Sequence, residues 1–242
     1  MTTNKEREWL LRDKYEGVES EAFYQDLERL ESGEPLAYVI GWVPFLNTRI
    51  HLDSKPLIPR PETEHWVDMA ISEMKKSAKP LKILDLCAGS GAIGVAVLQA
   101  LPNALVNFVE IDGSHHPTIL KNLEEAGVDD SRFKIIGGDL FENVTDSYDF
   151  ILTNPPYIDP ALSRTEAPVL EHEPHLALFG GQMGMEIVNR ILKGASLHLN
   201  AGGVMYTEHE PEQMVAMASY PLYAGSYEDQ YGVARFSIFR IP

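Results

Sequence analysis

The 242-residue chain holds a single cysteine, Cys87, which excludes an internal disulfide and makes a cysteine-built metal cluster implausible. Long apolar runs are missing too. Uncharged stretches such as Ala92–Leu101 fall far short of the roughly 20 residues that a membrane span needs. Residues Met1–Glu8 mix charges around no apolar core, so no signal peptide is expected and the cytoplasm is the expected compartment. No internal repeat or low-complexity tract is present. Basic residues are scarce, with 20 Lys and Arg against 36 Asp and Glu and a net charge of −16. Long nucleic acids are held by neutralising their phosphates, and this field opposes such a partner. A basic protein or a cationic small molecule suits it better, although solubility alone also explains an acidic surface. What remains is ordinary: 44% hydrophobic and 23% charged residues, enough for one sizeable domain with a real core.

Residues 1–33 read as short helices, with Ser20 capping a segment from Glu21 to Glu31 and Gly33 at its stop. Residues 34–59, punctuated by Pro35, Gly41, Pro44, Pro56 and Pro59, suggest a β-hairpin linking two regions. The chain therefore divides into a helical region at 1–42, a linking hairpin at 43–60, and a larger domain at 61–242. Pro61 and Glu62 open a helix carrying Trp66 and Val67. From Leu81 onward the rhythm is strand, loop, helix. Strands are expected at Leu81–Leu86, Leu105–Glu110, Phe133–Ile136, Tyr148–Thr153 and Val204–Glu208. Helices are expected at Ala92–Leu101, about Pro117–Ala126, Met185–Leu199 and Glu212–Ser219, with a closing antiparallel pair at Tyr220–Tyr227 and Val233–Ile241. Alternation of this kind implies an α/β fold, a parallel sheet covered by helices on both faces.

Such sheets bind ligands beyond the carboxyl ends of their strands, where strand order reverses. The first strand runs into Asp85-Leu86-Cys87-Ala88-Gly89-Ser90-Gly91, whose glycines permit a sharp turn and close approach to a ligand. Glu110 ends the second strand, where a carboxylate can accept both hydroxyls of a ribose. The loop departs from G-x-G-x-x-G, because Cys87 and Gly94 do not complete that pattern, and Asp85 would sit badly beside a pyrophosphate. Asp85 suits the amino group of a methionine moiety instead. Asp139, followed by Leu140 after the third strand, can meet an adenine amino group. Carboxylates around one pocket suit a sulfonium cation, so the ordered set predicts S-adenosylmethionine as cofactor and S-adenosylhomocysteine as product. The predicted cofactor-facing residues are Asp85, Cys87, Ala88, Gly89, Ser90, Gly91, Glu110, Asp139, Leu140 and Asn154.

Asn154-Pro155-Pro156-Tyr157 directly follows the strand Tyr148–Thr153. Taken alone it could be a proline-stiffened turn. At the end of a fourth strand of this architecture it reads as a catalytic motif. Two prolines fix the backbone and remove amide donors, leaving carbonyls to accept. The Asn154 side-chain oxygen and the Pro155 carbonyl can take two hydrogens of an amide or amino nitrogen, while Tyr157 offers a flat face to a planar amide or base. Asn154, Pro155 and Tyr157 are the catalytic candidates.

With the glycine-rich loop, Asn154–Tyr157 resembles the amino-methyltransferases, which include adenine and cytosine methylases. A narrower resemblance comes from Gly33-Glu34-Pro35-Leu36-Ala37-Tyr38, Leu57-Ile58-Pro59-Arg60-Pro61-Glu62-Thr63-Glu64 and Glu173-Pro174-His175-Leu176-Ala177-Leu178-Phe179-Gly180-Gly181. These segments resemble the HemK/PrmC family of protein glutamine methyltransferases. That resemblance implies a Rossmann-like class I methyltransferase fold: a seven-stranded, mostly parallel sheet with an antiparallel C-terminal strand, preceded by a short helical segment and a β-hairpin. It implies methylation of a glutamine N5 amide in a protein, usually the Gly-Gly-Gln loop of a peptide-chain release factor. The alternatives are a glutamine of a large-subunit ribosomal protein or N6-adenine methylation of DNA or RNA. Asn154, Pro155, Pro156 and Tyr157 would hold the substrate, with Arg60 and Glu62 bordering the site. Three departures are visible: Cys87 replaces a loop glycine, Leu140 stands where some members carry an aromatic, and only about 32 residues precede the matched part. No helper subunit or oligomeric partner is legible, so a monomer is the default.

No metal is expected. The adjacent His115 and His116 point apart on a helix and lack a third ligand, and His172 is flanked only by Glu171 and Glu173. Cys87 lacks a neighbouring base in sequence, which leaves it a packing role.

Overall fold

Strands Lys82–Leu86 (β3), Leu105–Glu110 (β4) and Tyr148–Thr153 (β6) are buried along most of their length, as strands covered on both faces must be. The computed structural model describes residues 3–162 and 165–242. Before these strands come helices Asn4–Tyr15 (α1), Glu21–Glu31 (α2) and Leu36–Ile40 (α3), a hairpin of Trp42–Phe45 (β1) and Thr48–His51 (β2), and helix Pro61–Met74 (α4). Helix Ala92–Ala100 (α5) follows β3, His116–Glu125 (α6) follows β4, and strand Phe133–Gly137 (β5) precedes β6. Beyond β6 come the short helices Ala167–His172 (α7) and His175–Leu178 (α8), then Glu186–His198 (α9). Strand Leu199–Glu208 (β7), helix Met214–Ala218 (α10) and strands Tyr223–Glu228 (β8) and Ala234–Arg240 (β9) complete the chain.

The seven-stranded sheet has the order β5-β4-β3-β6-β7-β9-β8. Neighbours from β5 to β7 pair in parallel, and β9 runs antiparallel to both β7 and β8. Alternation along the strands separates two apolar layers. Ile83, Leu152, Val204, Tyr206, Phe236 and Ile238 face one layer, built with α4, α5 and α6. Leu84, Leu86, Ile151, Met205 and Phe239 face the other, which α9 and α10 close. A smaller cluster of Leu10, Phe23, Leu30 and Val39 holds the first three helices together. Among the described residues no helix is long and apolar enough to cross a membrane.

Ser20 caps α2 as its position predicts, accepting the Phe23 N–H at 3.2 Å. The hairpin occupies only Trp42–His51, less than the loop-rich region 34–59. Helices α7 and α8, at six and four residues, are too short to show the helical periodicity of a longer element.

Strand order reverses between β3 and β6, whose last residues Leu86 and Thr153 are register partners. The Thr153 hydroxyl donates to the Leu86 carbonyl at 2.8 Å. The glycine-rich loop and the Asn154 motif therefore leave the sheet side by side.

Candidate active site

The loop after β3 turns through the left-handed region at Cys87, Gly89 and Gly91, with φ of 63°, 55° and 78°. Glycine adopts this without cost, whereas Cys87 does not. Gly94, one turn into α5, is required by packing: a Cβ there would lie 2.3 Å from the Phe108 ring. The apparent break in the glycine pattern thus conceals a helix-to-strand contact.

Glu110 shapes the loop directly. One carboxylate oxygen accepts the Gly89 N–H at 2.7 Å and the other the Asp112 N–H at 2.8 Å. Asp85 is fully buried behind the loop, with Oδ2 accepting the Gly94 N–H at 2.8 Å. Its Oδ1 has no hydrogen-bond partner. Burial pushes the Asp85 carboxyl up to about 8, opposed by the Gly94 N–H and reinforced by the charge of Glu110. Asp139 lines a cavity beside the loop and pairs with Arg190 of α9 at 2.8 Å. Leu140 beside it is buried at a φ of 54°.

Of the predicted cofactor residues, Cys87, Gly89, Glu110, Asp139, Leu140 and Asn154 line one cavity, together with Ile111, Leu176 and Phe179. Asp85, Ala88, Ser90 and Gly91 are not among its lining residues, and the backbone groups of the last three shape the loop. The Ala88 N–H donates to Val109 at 3.0 Å and the Gly91 N–H to Ala88 at 2.7 Å. The Ser90 carbonyl accepts from Asn122 of α6 at 2.9 Å. Asn122 also accepts the His51 N–H at 2.7 Å, so one buried amide ties the hairpin to the glycine-rich loop. No motif pointed to Asn122.

A second cavity, of about 390 Å³, also has Asn154 in its wall. Arg60, Pro155, Tyr157, Ile158, Met183 and Glu210 are among its walls. Leu57, Asn154 and Ala177 line both cavities. Pro156 faces the first, Pro155 and Tyr157 the second. Glu62, on the first turn of α4, reaches the wall of neither.

Three contacts hold the motif in place. The Asn154 side-chain nitrogen donates to Thr63 Oγ1 at 3.2 Å. The Tyr157 hydroxyl donates to Glu208 at 2.8 Å, which with burial holds the phenol well above its usual range. Gln213 donates to the Tyr157 carbonyl at 2.8 Å and to that of Met183 at 3.1 Å. The turn at Gly180–Gly184 presses on the same backbone: a Cβ on Gly180 would lie 2.5 Å from the Pro156 carbonyl oxygen. Glu208 and Gln213 carried no sequence signal.

The model of the methyltransferase small domain matches residues 67–169. The release factor glutamine methyltransferase of Lactococcus lactis is 36% identical over 202 residues, covering 82% of this chain and 72% of its own. The one from Bordetella pertussis is 33% identical, with 96% of this chain and 88% of its own covered. Among solved structures, a methyltransferase of Pyrococcus furiosus superposes with a TM-score of 0.56 at 18% identity, covering 89% of this chain and 98% of that one. A 16S rRNA methyltransferase of T. Thermophilus, solved with AdoMet and guanosine, gives 0.58 at 16% identity, covering 83% of this chain and 50% of that one. At such identities the superpositions show a shared class I methyltransferase fold.

Proposed function

Because the chain belongs to the release factor glutamine methyltransferase family, we propose that it methylates the side-chain amide of a glutamine in a peptide-chain release factor, using S-adenosylmethionine. The observation that carries this reading is the position of Asn154 in the wall shared by two cavities. A donor held on one side and a planar amide on the other would meet at that side chain.

The donor-side cavity fits the cofactor's chemistry. Glu110 and Asp139 are carboxylates in its wall, and the buried Asp85 behind the loop keeps an unpartnered oxygen. Glu110 favours a cation directly, Asp139 shares its charge with Arg190, and Asp85, its carboxyl pushed up to about 8, would ionise toward one. Glu110 suits a ribose, Asp139 and Leu140 an adenine edge, and Asp85 the charge of the methionine portion. When bound, S-adenosylmethionine supplies an electrophilic methyl on a sulfonium centre and leaves as S-adenosylhomocysteine.

An amide nitrogen is a weak nucleophile because its lone pair is shared with the carbonyl. The protein's task is therefore alignment. Asn154 Oδ1 and the Pro155 carbonyl accept the two amide hydrogens, which points the nitrogen at the donor cavity. Tyr157, anchored on Glu208, supplies a flat wall. Proximity and orientation of this kind are worth up to about 7–11 kcal/mol in favourable cases. The net charge of −16 suits a protein substrate over a nucleic acid, and a translation factor places the reaction in the cytoplasm.

The test is to offer isotopically labelled cofactor to a release factor, to a large-subunit ribosomal protein and to DNA and RNA. Label on the release factor is the expected outcome. Label confined to the ribosomal protein or to nucleic acid overturns the assignment.

A further inference from the structure

Thr63 lies between the Asn154 motif and the buried carboxylate of Glu208. Its hydroxyl donates to Glu208 Oε2 at 2.7 Å and accepts from Asn154 Nδ2 at 3.2 Å. Trp66 Nε1 donates to the same Glu208 oxygen at 2.8 Å, and the Tyr157 hydroxyl donates to Oε1. Thr63 and Glu208 are 3% and 1% exposed, so water does not substitute for these partners. Both ends of the Asn154–Tyr157 motif are thus tied to one carboxylate, Tyr157 directly and Asn154 through Thr63.

Counting protons decides which way the Asn154 amide faces. The indole N–H of Trp66 can only donate. With Thr63 and Tyr157, three donors converge on Glu208, the pattern of an ionised carboxylate, so Oε2 accepts from both Trp66 and Thr63. Thr63 has one hydroxyl proton and directs it to that oxygen. Nothing remains for Thr63 to donate to Asn154, so it presents Asn154 with a lone pair only. An Asn154 turned the other way would set two acceptors against each other. The Asn154 NH2 must therefore face Thr63, and Oδ1 must face the cavities.

The geometry points to Thr63 and Glu208 as positioning residues for the methyl transfer, fixing the Asn154 amide so that its oxygen meets the substrate nitrogen. This rests on the glutamine-methylation reading above. A reversed Asn154 would aim N–H groups at the N–H groups of the substrate amide. The inference also gives a use to Thr63 in the segment Arg60–Glu64, whose neighbour Arg60 is instead paired with Glu173.

The experiment measures kcat, KM for a release factor and Kd for the cofactor in wild-type protein, Thr63→Val and Thr63→Ser. Valine matches the shape of threonine and removes the acceptor, whereas serine restores it. The expected result is a fall in kcat of about 10- to 100-fold for Thr63→Val, the cost of misorienting a reacting group, with cofactor Kd within about twofold. Thr63→Ser should return kcat to within about threefold of wild type, since the acceptor is restored. Loosening of α4 alone would instead raise KM and cofactor Kd together. If Thr63→Val does not fold, Thr63→Ala removes the same acceptor without placing a methyl against Glu208, and is read by the same criteria. A Thr63→Val enzyme with unchanged kcat overturns the inference, as does a Thr63→Ser enzyme as slow as Thr63→Val. Wild-type protein that transfers no methyl to glutamine would instead refute the proposed reaction itself.

Discussion

The buried carboxylate of Glu173 accepts the backbone N–H of Ile58 at 3.0 Å, and its other oxygen pairs with the Arg60 guanidinium. One side chain thereby joins two segments 115 residues apart in sequence, the loop before α4 and the loop before α8. Leu57 and Ala177, beside these contacts, are walls of both cavities. Removing the carboxylate would strand a backbone N–H and a half-buried guanidinium. Glu173→Ala is expected to lose about 2–4 kcal/mol of stability, measured by denaturant titration. A loss below about 0.5 kcal/mol, the range of an ordinary surface substitution, would mean that the contact does not organise the site.

Gly184 is held against the backbone of the Asn154–Tyr157 motif. A Cβ at this position would lie 1.8 Å from the Tyr157 carbonyl oxygen and 2.4 Å from the Gln213 side-chain nitrogen, at a φ of 65°. Neither backbone nor a doubly bonded glutamine can give way cheaply. Gly184→Ala is expected to cost about 3 kcal/mol or more, from overpacking plus left-handed strain, and to lower kcat. Gly202→Ala serves as the control, because it has a similar φ of 74° with open space around it. Equal losses in the two variants would contradict the packing argument.

Under the proposed function, S-adenosylmethionine binding is expected to depend on pH through Asp85. Its carboxyl is pushed up to about 8 by burial, against about 3.9 in an unfolded chain. Between these values the folded protein binds one more proton at this site than the unfolded chain. Its contribution to stability therefore declines as pH rises from about 4 to about 8. A bound cation favours the ionised carboxylate, so cofactor binding at pH 7 should release a proton and tighten toward pH 8. Calorimetry in buffers of different ionisation enthalpy reads that proton. Asp85→Asn should abolish the release, and release unchanged in that variant would place the titrating group elsewhere.

Asn154→Ala separates chemistry from cofactor binding. Methyl transfer is expected to disappear while cofactor affinity stays within about tenfold, or roughly 1.4 kcal/mol. Joint loss of both would make Asn154 chiefly a cofactor ligand.

The strands that carry the site were largely legible. Leu105–Glu110 and Tyr148–Thr153 begin and end where their apolar runs do, and both motifs emerge at the predicted switch point. Residues whose role depends on partners distant in sequence were not legible. Glu208 is the last residue of an apolar strand, and only folding brings Thr63, Trp66 and Tyr157 to it. Asn122 is a polar residue of a helix, and only folding brings the hairpin and the Ser90 carbonyl to it. Arg60 faces the expected cavity but is committed to Glu173, a pairing that neither segment announces alone.

The most direct measurement is fragmentation mass spectrometry of a release factor after incubation with this protein and S-adenosylmethionine. The predicted result is one methyl group on the side-chain nitrogen of a single glutamine, absent when Asn154→Ala protein is used. A methyl group on any other residue type, or transfer that persists without Asn154, would contradict the assignment of a glutamine amide held at Asn154.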